Sequence, residues 1–337
     1  SGRVIAMTTI YTPSAPVSYS TRVDKVGRGQ RISVTVRAII AVLIALLMLV
    51  PVIWMGLTAF KTRPDAVAAP PVLLFQPSLE GFISLLTERR QMTQSEITAA
   101  EANRDQLDWA NQIALLRGQT IIGTSAFPRQ LVNSLIIAGA STFFSVGFGV
   151  LSAYAFSRFN IPGKDDLLFF ILSQRMLPAV VVTIPIFLMY KEVGLYDTHF
   201  GMVLLYTSFN LSFSVWLLKG FIDEIPKEYE EAALVDGYTR LQAFRKIVLP
   251  QAITGIAATT VFSLIFSWNE YAFALMLTSD VARTAPPSIP LVLGTGGIEW
   301  AAIAAGSLAF LIPVVIVTFV LRKHLLRGVT FGAIRKG

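Results

Sequence analysis

Between residues 220 and 250 the chain reads GFIDEIPKEYEEAALVDGYTRLQAFRKIVLP, a polar stretch set between apolar runs. Its local signals describe two short helices meeting at an angle. Pro226 suits the first helical position, and Glu228, Glu230 and Glu231 complement the positive end of a helix dipole. Gly237 then ends that helix, because glycine accepts the left-handed conformation needed just past a C-cap. Thr239 and Gln242 have the spacing of a capping box for a second helix. That helix would carry Leu241, Phe244, Ile247 and Val248 along one side, at intervals of three and four. Pro250 would open the apolar run that follows. Ala232 and Ala233 leave a small, smooth patch that a partner surface can approach closely. The competing reading is an amphipathic segment lying on a bilayer.

Outward from this stretch, the chain is apolar. Of its 337 residues 54% are hydrophobic and only 15% charged, and the mean hydropathy is +0.62. The apolar residues gather in runs of about 20, long enough to cross about 30 Å of hydrocarbon as helices. Six spans are expected: Val36–Phe60, Gln130–Phe156, Leu167–Tyr190, Phe200–Leu218, Ile253–Leu277 and Ala301–Leu321. Pro51, Gly147, Pro178 and Pro185 fall within them, as is common in membrane helices whose neighbours satisfy freed carbonyls. The fold class is therefore an all-α membrane protein with six transmembrane helices.

Lys and Arg placement sets the orientation. Arg22, Lys25, Arg28 and Arg31 precede the first span, and Arg158 and Lys164 follow the second. Lys227, Arg240, Arg245 and Lys246 lie in the 220–250 loop, and Arg322, Lys323, Arg327, Arg335 and Lys336 follow the sixth span. The short loops of the opposite side hold little beyond Lys191 and Arg283. Both termini are expected in the cytoplasm, and the net charge of +7 is spread along one membrane face rather than shaped for nucleic acid. Residues 1–6 precede Met7 and read as a cloning remnant; 7–35 form a cytoplasmic arm, 36–326 the transmembrane domain, and 327–337 a cytoplasmic tail.

The loop from Lys61 to Arg129 is an extracytoplasmic insertion, long enough to escape the charge rule. Within it, Gln94–Leu116 is rich in helix formers, Ser95 is a candidate cap, and Leu107, Ile113, Leu115 and Leu116 offer a partial apolar face. The segment reads as a helical contact subdomain, with a solvated spacer as the alternative.

Several chemistries lack their residues. There is no cysteine, and the two histidines, His199 and His324, stand apart, so no metal site is expected. No HExxH, paired intramembrane carboxylates or Ser/His pairing supports an intramembrane enzyme, and no catalytic residues are assigned. No GxxxxGK[ST] phosphate loop occurs, since Pro162-Gly163-Lys164-Asp165 lacks its spacing and its Ser/Thr. Two charges sit inside spans, Arg175 and Glu270. Each costs at least about 2.5–3.5 kcal/mol at that depth unless it faces a partner or a wet cavity. Tyr206, Phe209, Asn210, Phe213 and Trp216 mix aromatic and amide groups on the fourth span, as sugar sites do and as packed helices also do. The substrate-path candidates are Arg175, Asn210, Trp268, Asn269, Glu270 and Tyr271.

Glu231-Ala232-Ala233, Gly237, Ile247 and Leu249-Pro250 reproduce E-A-A-x3-G-x9-I-x-L-P at every defined position. This resembles the "EAA" loop of ABC importer permeases. Arg158-Phe159, Ser173 to Pro178, Gly194 to Thr198, Trp268 to Tyr271 and the stretch from Gly328-Val329-Thr330 to Gly337 are similar to the carbohydrate-uptake, MalG-like branch. The 61–129 loop is longer than the usual member's.

The resemblance implies a type I ABC importer permease fold and a coupling role for Glu231, Ala232, Ala233, Gly237, Ile247, Leu249 and Pro250. It implies a bacterial inner-membrane complex with a second homologous permease, two ATP-binding subunits and a periplasmic solute-binding protein. ATP and Mg would be bound by the partner ATPase and no cofactor by this chain. The solute would be a sugar, polyol or glycoside. An ABC permease for another solute and a stand-alone secondary carrier are the rival readings.

Overall fold

The computed structural model describes residues 28–291, 293–294 and 297–331. The expected remnant 1–6, most of the arm 7–35 and the end of the tail 327–337 lie outside the described residues. The chain divides into two units, 1–52 and 53–337. The described part of the first is the N-terminal portion of helix α1 (Arg28–Ala59), whose apolar side chains from Val36 to Val50 are exposed.

The second unit holds everything else. Its described elements run α2 (Arg63–Val67), α3 (Glu80–Leu86), β1 (Thr87–Gln91), α4 (Gln94–Ala102), α5 (Trp109–Leu115), β2 (Gln119–Thr124) and α6 (Phe127–Arg158). There follow α7 (Lys164–Ser173), α8 (Ala179–Glu192), α9 (His199–Asp223), α10 (Glu228–Val235), α11 (Arg240–Ala243) and α12 (Leu249–Gln251). The order closes with α13 (Ile253–Trp268), α14 (Ala272–Leu277), β3 (Leu293–Gly294), β4 (Gly297–Ile298) and α15 (Trp300–Phe331).

Helices α6, α9 and α13 make the central packed layer. Small and hydroxyl residues let their backbones approach: a Cβ at Gly149 would lie 2.7 Å from Ser214 Cβ, and one at Gly255 2.4 Å from the Phe221 ring. Hydroxyl pairs bridge the same seams, Ser141 to Ser267 at 3.0 Å and Ser214 to Ser263 at 3.2 Å. This is the usual glue where hydrocarbon surroundings provide no hydrophobic drive between helices.

Four described helices are long and apolar enough to cross a membrane, or up to six if each bent pair counts as one span. The bent pairs are Lys164–Met176 with Ala179–Glu192 and Arg240–Gln251 with Ile253–Trp268, and two of the expected spans are not single helices. Leu167–Tyr190 is broken into α7, a 3-10 turn at Gln174–Met176, and α8, with a 93° bend. Pro178 carries no N–H and pushes Leu177 out of the helical region, to φ −71 and ψ 126. Ile253–Leu277 is interrupted at Asn269–Tyr271, between α13 and α14.

The 61–129 insertion is ordered but not purely helical, so the all-α expectation gives way to a mostly helical one. β1 and β2 pair antiparallel from Thr87–Thr124 to Gln91–Gln119, with a bulge at Glu88/Arg89. The stretch read as one helix is two, parted near Asn103–Asp108. Thr93, not Ser95, caps the first in a full capping box with Glu96, and Asp108 caps the second. Leu115 is buried whereas Leu116 is 71% exposed.

The insertion is fastened to the start of α15. Arg117 pairs with Glu299 at 2.7 Å and Glu80 at 2.9 Å, and Arg63 stands 3.7 Å from Glu299. Leu85 and Phe127 share an apolar cluster with Ala302, Ala304 and Ala305. Burial pushes the Glu299 carboxyl up, but the Arg117 guanidinium outweighs it and holds the group below the usual carboxylate range.

Candidate functional site: a polar pocket and a helix–turn–helix loop

Two regions carry the expected site residues. In the first, the broken ends of α7–α8 and of α13–α14 face α9. A cavity of about 300 Å³ opens there, lined by Arg175, Tyr206, Phe209, Asn210, Phe266, Ser267, Glu270 and Phe273 together with Leu177 and Ala179. The helix breaks place the polar groups. Arg175 lies in the 3-10 turn before the Pro178 bend, and Glu270 in the gap between α13 and α14.

The Glu270 oxygens are committed: they accept from Tyr206 Oη at 2.7 Å and from the backbone N–H groups of Phe273 and Ala274 at 2.9 and 3.0 Å. That arrangement seats the carboxylate at the positive end of α14. Asn210 donates to Ser267 Oγ at 2.7 Å. Arg175 sits over the rings of Phe266 (4.3 Å) and Phe213 (5.3 Å), and its Nη1 is buried with no hydrogen-bond partner among the described residues. The cavity thus offers aromatic faces, one amide and one cation whose Nη1 is unpaired among the described residues.

Three other candidates lie away from this lining. Trp268 is 2% exposed; its ring stacks on Phe310 at 4.7 Å and its Nε1 donates to the Phe310 carbonyl. The Asn269 amide turns back to the Ile265 carbonyl, and Tyr271 is exposed. Conversely, Phe266, Ser267 and Phe273 line the cavity but gave no sequence signal beyond ordinary helix packing.

The second region is the 220–250 loop. α10 starts at Glu228 after the cap residue Lys227, so Pro226 lies ahead of the helix rather than at its first position. Its end is a full Schellman motif: Tyr238 N–H reaches the Ala233 carbonyl at 3.0 Å and Gly237 N–H the Leu234 carbonyl at 3.1 Å. Gly237 takes φ +87 to close it. The Thr239–Gln242 capping box is present in both directions, at 2.8 and 3.3 Å.

From Thr239 the chain runs through α11, a π-turn at Phe244–Val248, and α12, then bends 72° into α13. Pro250 belongs to the last turn before that bend instead of opening the next span. The buried side is Ala243, Phe244 and Val248, with Ile247 and Leu249 half-buried. Leu241, expected on it, is 63% exposed. Glu231, Ala232 and Val235 are exposed on the other face, while Ala233 is buried. The result is a fixed angle between two short helices with a small-residue face left open.

A third constellation was hidden in the Gly194–Thr198 stretch. Asp197, at φ +54, accepts backbone N–H bonds from Ser279, Asp280, Val281 and Ala282, and the Ser279 hydroxyl, all at 2.9–3.1 Å. Burial pushes its carboxyl up, but those N–H groups outweigh it and bring it to about 2. Asp197 thereby ties the α8–α9 turn to the loop after α14.

A mostly helical chain with broken apolar helices around a polar cavity, and a rigid helix–turn–helix between two of them, is the architecture of a membrane permease subunit. The chain belongs to the family of binding-protein-dependent transport system inner membrane components, whose model matches residues 145–331. It is 29% identical to the trehalose/maltose transport system permease protein MalG of Thermococcus litoralis, covering 88% of this chain and 94% of that one. The trehalose transport system permease protein SugB of Mycobacterium tuberculosis is 35% identical over 62% of this chain and 77% of its own. Among solved structures, a bacterial ABC transporter importing the acidic polysaccharide alginate shares the fold, with a TM-score of 0.61 and 22% identity over 89% of this chain and 98% of that one.

Proposed function

We propose that this chain is one of two permease subunits of an ATP-driven importer for a carbohydrate-like solute. In this reading the chain spans a bacterial inner membrane six times with both termini in the cytoplasm, α7 with α8 forming the third span and α13 with α14 the fifth. The observation that carries the coupling role is the Schellman-closed turn at Gly237, which fixes two short helices and leaves Glu231, Ala232 and Val235 exposed. Such a surface fits a cleft in a cytoplasmic ATPase subunit, two of which would bind ATP and Mg. Glu231 would meet a basic residue there, while Gly237, Ile247, Leu249 and Pro250 hold the shape.

The carbohydrate assignment is supported by the names of the relatives and by the chemistry of the cavity. Phe209, Phe266 and Phe273 offer faces for sugar C–H groups, and Arg175 and Asn210 offer polar anchors. A periplasmic binding protein would deliver the solute to the outer side, and a second homologous permease would close the path.

The test is purification of the tagged chain with its neighbouring subunits, followed by reconstitution. ATP-dependent uptake of trehalose, maltose or another member of a labelled sugar and polyol panel is the expected result. Uptake driven by a proton gradient, with no ATPase co-purifying, would refute the reading.

A further inference from the structure

Glu230 stands one position before Glu231, yet the two carboxylates occupy opposite environments. Glu231 is exposed, whereas Glu230 is 7% exposed and turned inward. Its carboxylate forms an ion pair with Arg158 Nε and accepts from Tyr154 Oη at 2.9 Å. Arg158 Nη2 also donates to the Ile225 carbonyl at 2.9 Å, in the turn between α9 and α10. The Tyr154 ring lies 4.5 Å from that of Phe244 in the π-turn. Phe244 and Val248 in turn join Val146, Val150 and Ala153 of α6 and Leu218 and Ile222 of α9 in one apolar cluster. Three separate parts of the 220–250 loop therefore converge on a single turn of α6, the i, i+4 pair Tyr154 and Arg158.

The covalent neighbours of the loop are α9 and, through the 72° bend, α13. α6 is far away in sequence, yet it lies against both: Ser141 meets Ser267, and Ser267 accepts from Asn210 in the cavity wall. α6 contributes none of the residues that line that cavity but touches α9 and α13, which do.

We propose that Glu230, Arg158 and Tyr154 form a latch that makes the coupling loop and the cytoplasmic end of α6 move as one body, so that α6 carries loop motion towards the cavity. The proposal rests on the reading that the loop docks on an ATPase. All three are positioning residues, acting through α6 and not on nucleotide or solute. Side-chain burial of Arg158 and Glu230 (5% and 9% exposed) keeps solvent from competing for the pair, and removing one partner strands the other charge. The Glu231–Ala232 face remains free for the ATPase.

This chain has no cysteine of its own, so the latch is measured in the complete complex with the partner subunits' cysteines replaced. Spin labels at Tyr229→Cys on α10, outside the Glu231–Ala232–Val235 surface, and Leu151→Cys on α6, both exposed sites, report their separation with and without ATP–vanadate. With the latch intact a single narrow distance is expected, unchanged by nucleotide. Glu230→Gln and Arg158→Gln should lose that narrow distance while the ATPase stays bound and hydrolyses ATP. The exchange Glu230→Arg/Arg158→Glu should restore it. Tyr154→Phe, which keeps the ring against Phe244 and removes only the hydroxyl that donates to Glu230, should broaden the distance partially. A distance in Glu230→Gln and Tyr154→Phe as narrow and nucleotide-independent as in the parent would overturn the latch while leaving ATPase docking intact. An unvaried complex that holds no ATPase would overturn the latch together with the coupling reading.

Discussion

Replacing Gly237 tests the shape of the coupling loop with little interference from packing. The residue sits at φ +87, and a Cβ built on it would meet nothing within 4 Å. Any cost of a side chain there is therefore conformational rather than steric. Holding an ordinary L-residue in the left-handed region costs about 1–2 kcal/mol, and asparagine tolerates it best. A β-branched side chain is a true outlier there, and about 3 kcal/mol is reasonable for valine.

At about 1.4 kcal/mol per factor of ten, Gly237→Ala lowers the population of the native turn roughly 10-fold relative to a relaxed one. Gly237→Val lowers it on the order of 100-fold. Both Schellman bonds are lost when the turn relaxes, and the angle between α10 and α11 goes with them. ATP-dependent uptake in proteoliposomes should follow the order Gly, Asn, Ala, Val, with valine abolishing transport while the protein remains inserted and in complex with its partner permease. Glu231→Ala, which removes one exposed charge and keeps the backbone, should reduce uptake more mildly than Gly237→Val. Wild-type uptake by a correctly assembled Gly237→Val complex would refute the coupling role of this turn.

Arg117→Ala should destabilise by about 3 kcal/mol and open 61–129 to limited proteolysis, because Glu299 is left buried without its hydrogen-bonded partner, with Arg63 at 3.7 Å and Arg89 acting on it from farther off; the Arg117→Ala/Glu299→Ala pair should cost less than the sum of its singles in the same melts. Asp197→Ala should lower the melting temperature at neutral pH. Since the folded carboxyl lies near 2, below its ordinary 3.8, its contribution is complete above the ordinary value and lost as pH falls. The gap between wild type and variant should thus be constant above about pH 5, narrow as pH falls through 4 and 3, and close below about pH 2. Gly255→Ala places a Cβ 2.4 Å from the root of the Phe221 ring and should cost about 1–3 kcal/mol, whereas Gly147→Ala, with nothing within 4 Å, should be neutral or stabilising by up to about 1 kcal/mol. Thermal melts in detergent that fail to separate the two glycines would contradict the close α9–α13 approach.

The amino-acid sequence by itself determined the parts of this protein that depend on local chemistry. Runs of apolar residues mark the membrane helices, because the bilayer requires a continuous stretch whose backbone bonds are internal. Gly237, Thr239 and Gln242 specify the turn between α10 and α11, because a left-handed residue and a reciprocal cap are satisfied within six residues of chain. Tertiary structure alone decided the rest. Glu228, Glu230 and Glu231 look alike as first-turn acids, and only the arrival of Arg158, 72 residues earlier in the chain, makes Glu230 an internal anchor and leaves Glu231 outward. Pro178 was legible only as a proline within an apolar run, and the 93° bend between α7 and α8 at that point is seen only in the tertiary structure. Arg175, Asn210 and Glu270 were suspicious singly, as polar groups in apolar runs. Their meeting in one cavity, while Trp268 and Asn269 turn away from it, depends on two helix breaks facing each other across α9, a relation between distant segments that no local pattern encodes.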